Sequence, residues 1–170
     1  VEPTPLQRAL AVAPERATAQ AARPDEEYFL LRCGELPLGV RSEFVREVTR
    51  VGPLTPLPRS PSFVLGVVGH RGQVLPLIDL LRFLQQGESK ATARSRLFIS
   101  DSSGQVVGFL ADQVIGLRRI YVADKLPAPA GAGAQAEFIE GVVQTRDLGS
   151  LTLLNLPRIV QSARQKAVAR

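Results

Sequence analysis

One imidazole and one thiol, His70 and Cys33, are all that the chain offers for histidine- or cysteine-based chemistry. A serine or cysteine nucleophile needs a base within hydrogen-bond reach, usually a histidine. No Gly-x-Ser-x-Gly elbow presents a serine. Cys33 ends an apolar run just before Gly34, the setting of a small packed thiol. One His and one Cys cannot complete the four ligands of a zinc site. Asp79 stands where a helix begins, so capping it, worth about 1 kcal/mol, suits this carboxylate better than general-base work. The "AGAGAQ" stretch lacks the Lys-Ser/Thr that follows a phosphate-cradling loop. These residues predict a protein that is not an enzyme and takes no metal or cofactor.

What remains is the stretch "VLGVVGHRGQVLPLID", Val64 to Asp79, which reads as two apolar strands joined at His70-Arg71-Gly72. Apolar strands predict burial, and the connection between them carries a permanent charge. The planar fork of Arg71 suits gripping a carboxylate or a carbonyl better than a lysine would. His70 reads as an exposed residue of the same turn. The alternative is that Arg71 is a solvated turn residue with no partner.

The elements that must position this turn follow from composition and pattern. The chain has 170 residues, 45% hydrophobic and 22% charged, which predicts one ordinary globular domain. No apolar run approaches the roughly 20 residues of a membrane-spanning helix. The first residues lack the basic start and apolar centre of a secretion signal, and a lone cysteine fits a reducing compartment, so a cytoplasmic protein is expected. The formal charge of +5 resides in the ends: residues 158–170 carry four basic groups and no acid, whereas residues 25–157 balance fourteen against fourteen. A neutral body is poor material for a groove that tracks phosphates, although Lys90, Arg94 and Arg96 form a small local cluster.

Residues 1–25 are rich in Ala, Pro and Arg and predict a flexible tail, with regular structure from about Glu27. "YFLLR" and "LGV" flank a Gly-Pro turn. "RSEFVREVTRV" suits a short helical turn or a bent strand. "GPLTPLPRSPSF" holds four prolines and reads as an ordered loop. "LIDLLRFLQQG" reads as a helix capped by Asp79, with Leu80, Leu81, Phe83 and Leu84 on its apolar face and Gly87 at its end. The cycle then repeats. Gly39 precedes Val45 and Gly108 precedes Val114 by the same six positions, and "VLGVVGHRGQVLPLIDL" matches "FIEGVVQTRDLGSLTLLNL". Two copies of a unit of about five short strands predict two small packed β-barrels. Leu156, Ile159, Val160 and Ala163 share one side of a terminal helix, with a basic tail over 163–170.

"VLGVVGHRGQVLPLIDL", followed by a second β-cycle containing "VVGFLADQVIGL", resembles the CheW family of bacterial chemotaxis coupling proteins, from about Glu27 to Val160. Gly66, the Arg71-Gly72 turn, Pro76, Asp79, Gly108, Asp112 and Val114 carry the resemblance. It implies a mainly β fold of two pseudo-repeated five-stranded SH3-like barrels with short helices and a C-terminal helix. It places the domain at about 26–162, with barrels near 36–86 plus swapped terminal segments and near 95–156. It implies an adaptor that joins the cytoplasmic tip of chemoreceptors to a CheA-type histidine kinase and meets other CheW-like domains, without nucleic acid or membrane insertion. Arg71 matches the family's receptor-binding turn arginine; Val45, Val114 and Leu117 match positions lining an apolar groove between barrels. No short motif carries over a kinase-binding surface. The turn reads Gly-His-Arg-Gly where the family commonly reads Asn-Leu-Arg-Gly, a departure that favours one rival, a kinase-binding modulator that bridges no receptor. A second rival is a basic β-barrel that binds nucleic acid through the Lys90–Arg96 loop and the C-terminal tail.

Overall fold

A computed structural model describes residues 24–168, so most of the expected N-terminal tail lies outside the described residues. Eleven strands account for most of the described chain: β1 Asp25–Cys33, β2 Leu36–Arg41, β3 Val45–Arg50, β4 Leu54–Thr55, β5 Val64–His70, β6 Gln73–Ile78, β7 Arg96–Ser102, β8 Gln105–Ala111, β9 Gln113–Tyr121, β10 Ile139–Thr145 and β11 Gly149–Leu154. Helix α1 spans Leu80–Phe83 and α2 spans Leu156–Val168. Short 3-10 turns fill Ser42–Phe44, Val122–Asp124 and Ala130–Phe138.

The strands form two sheets, ordered β10-β11-β2-β1-β9 and β3-β7-β8-β6-β5-β4. Each closes on itself. In the second sheet, β3 and β4 occupy opposite edges although only Val51-Gly52-Pro53 separate them, so one bent segment seals the barrel. In the first, the chain continues past β9 and Leu126 pairs with Val142 of β10 through two 2.8 Å hydrogen bonds. Counting each bent segment once, both barrels have five strands, as expected.

In space the two repeats exchange hairpins. The first barrel takes β1–β2 from the first repeat and β9–β11 from the second; the second barrel takes β3–β6 from the first and β7–β8 from the second. The likeness between repeats extends to irregularities. Arg46 is bulged out between the Val45–Ser100 and Glu47–Ile99 pairs, and Ile115 between the Val114–Leu31 and Gly116–Leu30 pairs. Each bulge tightens strand twist at the same place.

Three apolar cores follow. Tyr28, Leu30, Ile120, Val143, Leu151 and Leu153 fill the first barrel. Val68, Leu75, Leu77, Leu97, Ile99 and Leu110 fill the second. A larger cluster lies between the barrels and under α2, joining Phe29, Leu31, Val40, Phe98 and Phe109 to Phe83, Ile159 and Val160. Phe98 and Phe109 stack with centroids 5.0 Å apart, and Phe83 meets Phe138 edge-on at 4.9 Å, geometries favoured by aromatic quadrupoles.

Several local expectations change. The proline-rich loop contains a strand after all: Leu54 and Thr55, between Pro53 and Pro56, pair with Val68 and Val67 at a sheet edge, where flanking prolines are tolerated. Gly66 permits this approach, since a Cβ there would lie 2.3 Å from the Thr55 carbonyl oxygen. Helix α1 is a single turn, because Gln85 (φ 57°) and Gly87 (φ 129°) turn the chain away. Asp79 caps it as expected, accepting from the Leu81 and Arg82 amides at 3.0 and 3.4 Å, and also from the Ser89 amide at 2.7 Å. "RSEFVREVTRV" forms both alternatives in succession, a 3-10 turn and then β3. Strand β1 starts two residues before Glu27. Helix α2 continues through Val168, into the segment expected as a basic tail, with the Lys166 ammonium 4.9 Å from the Phe83 ring centroid.

Candidate functional site

Two edge strands, β3 and β9, flank the central core between the barrels. On β3, Val45 and Val48 are half-buried and pack against the central core; on β9, Val114 does the same. Leu117 departs from this pattern. It is cross-strand from Phe29, which is 8% exposed, yet Leu117 itself is 63% exposed. Val45 and Val114 therefore pack at the edges of the central core, and Leu117 shares the face of Val114 on β9 with its side chain largely in solvent; the faces of β3 and β9 that carry these residues make up the seam. Beneath Val45 lies Ser100, fully buried, whose hydroxyl has no hydrogen-bond partner.

Arg71 lies elsewhere. Strands β5 and β6 meet at a two-residue turn in which Arg71 (φ 48°) and Gly72 (φ 75°) both take the left-handed conformation, the pattern of a type I′ hairpin. An arginine there stores about 1 kcal/mol or more of strain. Its side chain is 76% exposed, and Nη2 donates to Glu47 Oε1 at 3.2 Å. The other carboxylate oxygen, Oε2, is 2.9 Å from His70 Nε2. The hydrogen bond with His70, with the Arg71 charge beside it, holds the Glu47 carboxyl below the usual carboxylate range. A cavity of about 210 Å³ is lined here by Arg46, Glu47, His70, Arg71, Leu75 and Ile99. Glu47 is cross-strand from Ile99 of the second barrel's core, and Val48 from Phe98 of the central core. Arg71 therefore meets β3 on the face opposite Val45 and Val48. Of the four expected site residues, Val45 and Val114 pack on the central core, Leu117 lies on the same face of β9 as Val114 but in solvent, and Arg71 meets β3 on its other face.

Glu47 is the residue that sequence reasoning missed. An acid set between Val45 and Val48, in a strand otherwise facing two cores, was the available signal. His70 also gains a defined place: its bond to Glu47 braces a turn in which Gly69 takes ordinary strand backbone and carries no side chain to do so.

A second polar cluster closes the mouth of the first barrel. The Tyr28 hydroxyl lies 2.8 Å from Glu26 Oε2 and 2.9 Å from Glu140 Oε1. Arg41 and Lys125 each pair with both carboxylates. Burial opposes ionisation of Glu140, but hydrogen bonds from Arg41, Lys125 and Tyr28 outweigh it and hold the carboxyl low. Burial, then the two carboxylates, push the Tyr28 phenol up. This network ties β1, β2 and β10 to Lys125. Cys33 is fully buried, and burial first, with the charges of Asp112 and Asp79, pushes its thiol up to about 12. Among the described residues no group of three or more His, Cys, Asp or Glu is placed to hold a metal ion, and no helix is long and apolar enough to cross a membrane.

This chain is 55% identical to protein FrzA of Myxococcus xanthus over 160 residues, 94% of this chain and 100% of that one. It is 31% identical to the chemotaxis protein CheW of Rhizobium meliloti over 118 residues, covering 69% and 76% of the two chains. Among solved structures, the scaffolding protein TtCheW from Thermoanaerobacter tengcongensis superposes with a TM-score of 0.71 at 25% identity, over 80% of this chain and 88% of that one. The model of the CheW-like domain matches residues 27–164, nearly all of both barrels and most of α2, and the chain belongs to the CheW-like domain family.

Proposed function

We propose that this protein is a non-enzymatic adaptor of bacterial chemotaxis or motility signalling, working in the cytoplasm. It couples the cytoplasmic tip of a chemoreceptor to a CheA-type histidine kinase. What supports this reading is the seam: half-buried Val45 and Val114 at the edges of the core between two like barrels, with Leu117 on the same face of β9 left largely in solvent. Such a seam suits the apolar stripe of a helical hairpin. Arg71, held by Glu47 at a strained turn on the reverse of β3, supplies a charge-assisted hydrogen bond to the same receptor, worth about 1.5–3 kcal/mol.

The test uses the purified chain, the regulatory domain of the kinase encoded in the same genome, and the cytoplasmic hairpin fragment of a receptor from that genome. The chain binds both. Arg71→Ala weakens binding of the receptor fragment about tenfold and leaves kinase binding unchanged. Equal loss of both, or of neither, removes Arg71 from the receptor site. Binding of kinase with no binding of any receptor fragment supports instead a modulator that bridges nothing.

A further inference from the structure

The duplicated fold supplies its own reference for each position near the seam. Glu27 is cross-strand from Arg119 in the β1–β9 pair, and the corresponding positions of the β7–β3 pair hold Arg96 opposite Arg50. The two ends of the seam therefore differ in charge. At the β1–β9 end, Arg119 Nη1 lies 2.9 Å from Asp25 Oδ1, and Glu27 accepts from the Ser42 hydroxyl at 2.8 Å. Two acids stand against one base there, so that end is net negative. At the other end two arginines face each other directly, an arrangement that destabilises a sheet.

Among the described residues, nothing offsets that repulsion: no carboxylate lies within ion-pair distance of Arg50, Arg94 or Arg96. Arg94 and Arg96 line a surface cavity of about 530 Å³ with Gln113 and the seam residue Val114. Asp112 also lines it, but its Oδ2 accepts from the Gly34 amide. The Arg96 guanidinium is held in place from one side: Nη1 donates to the carbonyls of Arg94 and Ser95, both at 3.0 Å. The rest of its fork is available for a carboxylate, which guanidinium groups bind through two parallel bonds. Arg50 and Arg96 share the seam face with Val48 and Phe98, being two residues further along each strand.

We propose that Arg50, Arg94 and Arg96 form a carboxylate-binding end to the seam, which fixes the direction in which a partner helix lies in it. The proposal rests on the seam being the docking face. The seam carries paired apolar positions from two like halves, Val45 and Val48 on β3 and Val114 and Leu117 on β9, so apolar contact alone selects a helix direction weakly. One basic end and one net acidic end remove that ambiguity, since the reversed helix brings its carboxylates against Asp25 and Glu27. The partner is a helical protein segment with an apolar stripe followed by acidic residues. Two residues of strand from Val48 to Arg50 span about 6.6 Å, so a helix running along β3 reaches Arg50 with a carboxylate about one turn, 5.4 Å, beyond its apolar contact.

The probe is the receptor hairpin fragment used above, with the full chain as wild type, as Arg50→Gln/Arg94→Gln, as Arg119→Gln and as Leu117→Ala. The double variant is expected to bind the fragment about tenfold more weakly at 50 mM salt, with a flatter salt dependence; Arg119→Gln binds as wild type. A spin label on one end of the fragment, read against a label on the chain at position 113, reports one orientation in wild type and two in the double variant. Unchanged affinity and a single orientation in the double variant overturn the proposal while leaving the seam reading intact. Leu117→Ala binding the fragment as tightly as wild type overturns the seam reading itself, and this proposal with it. If a 20-nucleotide single-stranded DNA binds wild type at 50 mM salt and loses that affinity in the double variant, while the fragment's binding is unchanged, the cluster is a nucleic-acid contact and the proposal falls.

Discussion

Truncating Leu117 to alanine separates a docking seam from a piece of core. Burying a leucine side chain completely contributes about 1.5–3 kcal/mol. Leu117 is 63% exposed, so roughly two thirds of that amount is unused in the free protein and becomes available when a partner covers it. The loss of affinity expected for Leu117→Ala is therefore about 1–2 kcal/mol, or about 5- to 30-fold in Kd. The fold loses only what the covered third contributes, about 0.5–1 kcal/mol. Val114 serves as the contrast. It packs against the central core, so Val114→Ala costs stability and affinity together, about 1 kcal/mol of the former. Urea melts give the stability of each variant, and fluorescence anisotropy with the labelled receptor fragment gives Kd. If Leu117→Ala lowers stability by more than about 1.5 kcal/mol and leaves Kd unchanged, Leu117 belongs to the interior in solution and the seam is not the docking face.

Glu140→Gln removes one of the two carboxylates shared by Arg41 and Lys125 and is expected to cost about 2–4 kcal/mol at pH 7. Because the folded Glu140 carboxyl titrates below its unfolded counterpart, its stabilisation is complete above about pH 4.3 and is lost as pH falls through the depressed value. Melts at pH 7 and pH 3 should therefore show the variant and wild type converging in acid, and a constant gap refutes the ionic account. Ser100→Ala removes a buried hydroxyl that has no partner and should leave stability unchanged or raise it by about 1 kcal/mol; a loss above that reveals a hydrogen bond to Ser100. The Cys33 thiol, buried and pushed up to about 12, should resist iodoacetamide at pH 8 until urea unfolds the chain, and rapid labelling of the native protein contradicts its burial.

The sequence announced those features that depend on near neighbours. Glycines at matched spacing before Val45 and Val114 revealed the duplication, and apolar alternation revealed the hairpins. Asp79 before a leucine run revealed its own capping role. The exchange of hairpins between barrels was not legible in local pattern, and swapped terminal segments entered only through the family resemblance, because the pairings of β1 with β9 and β3 with β7 join segments far apart in sequence. Both are chosen by which faces bury together rather than by any local preference. Strand β4 was hidden by its flanking prolines, which forbid a central ladder but not an edge. The site divides in the same way. Arg71 stood out because a turn isolated it between apolar strands, whereas Glu47 looked like one more surface acid until the fold brought the hairpin turn onto β3. Lys125 and Glu140 come from different elements, and only barrel closure places them beside Glu26.

A duplicated fold also shows where its two halves have ceased to be equivalent. Some positions keep like chemistry: Phe29 and Phe98 are both in the central core, and the bulges after Val45 and Val114 repeat in register. Three differences lie along the seam. Ser100 replaces the apolar Leu31, exposed Leu117 corresponds to half-buried Val48, and Arg96 opposite Arg50 corresponds to Glu27 opposite Arg119. Each of the first and third costs the free protein something, an unpaired hydroxyl in one case and like charges face to face in the other. Fold stability alone gives no reason to place all three along one seam, because the other half of the same chain contains the less costly solution at each position. A seam that receives one helix in one direction does give a reason, since paired apolar positions select a direction only weakly and a basic end facing a net acidic one selects it directly.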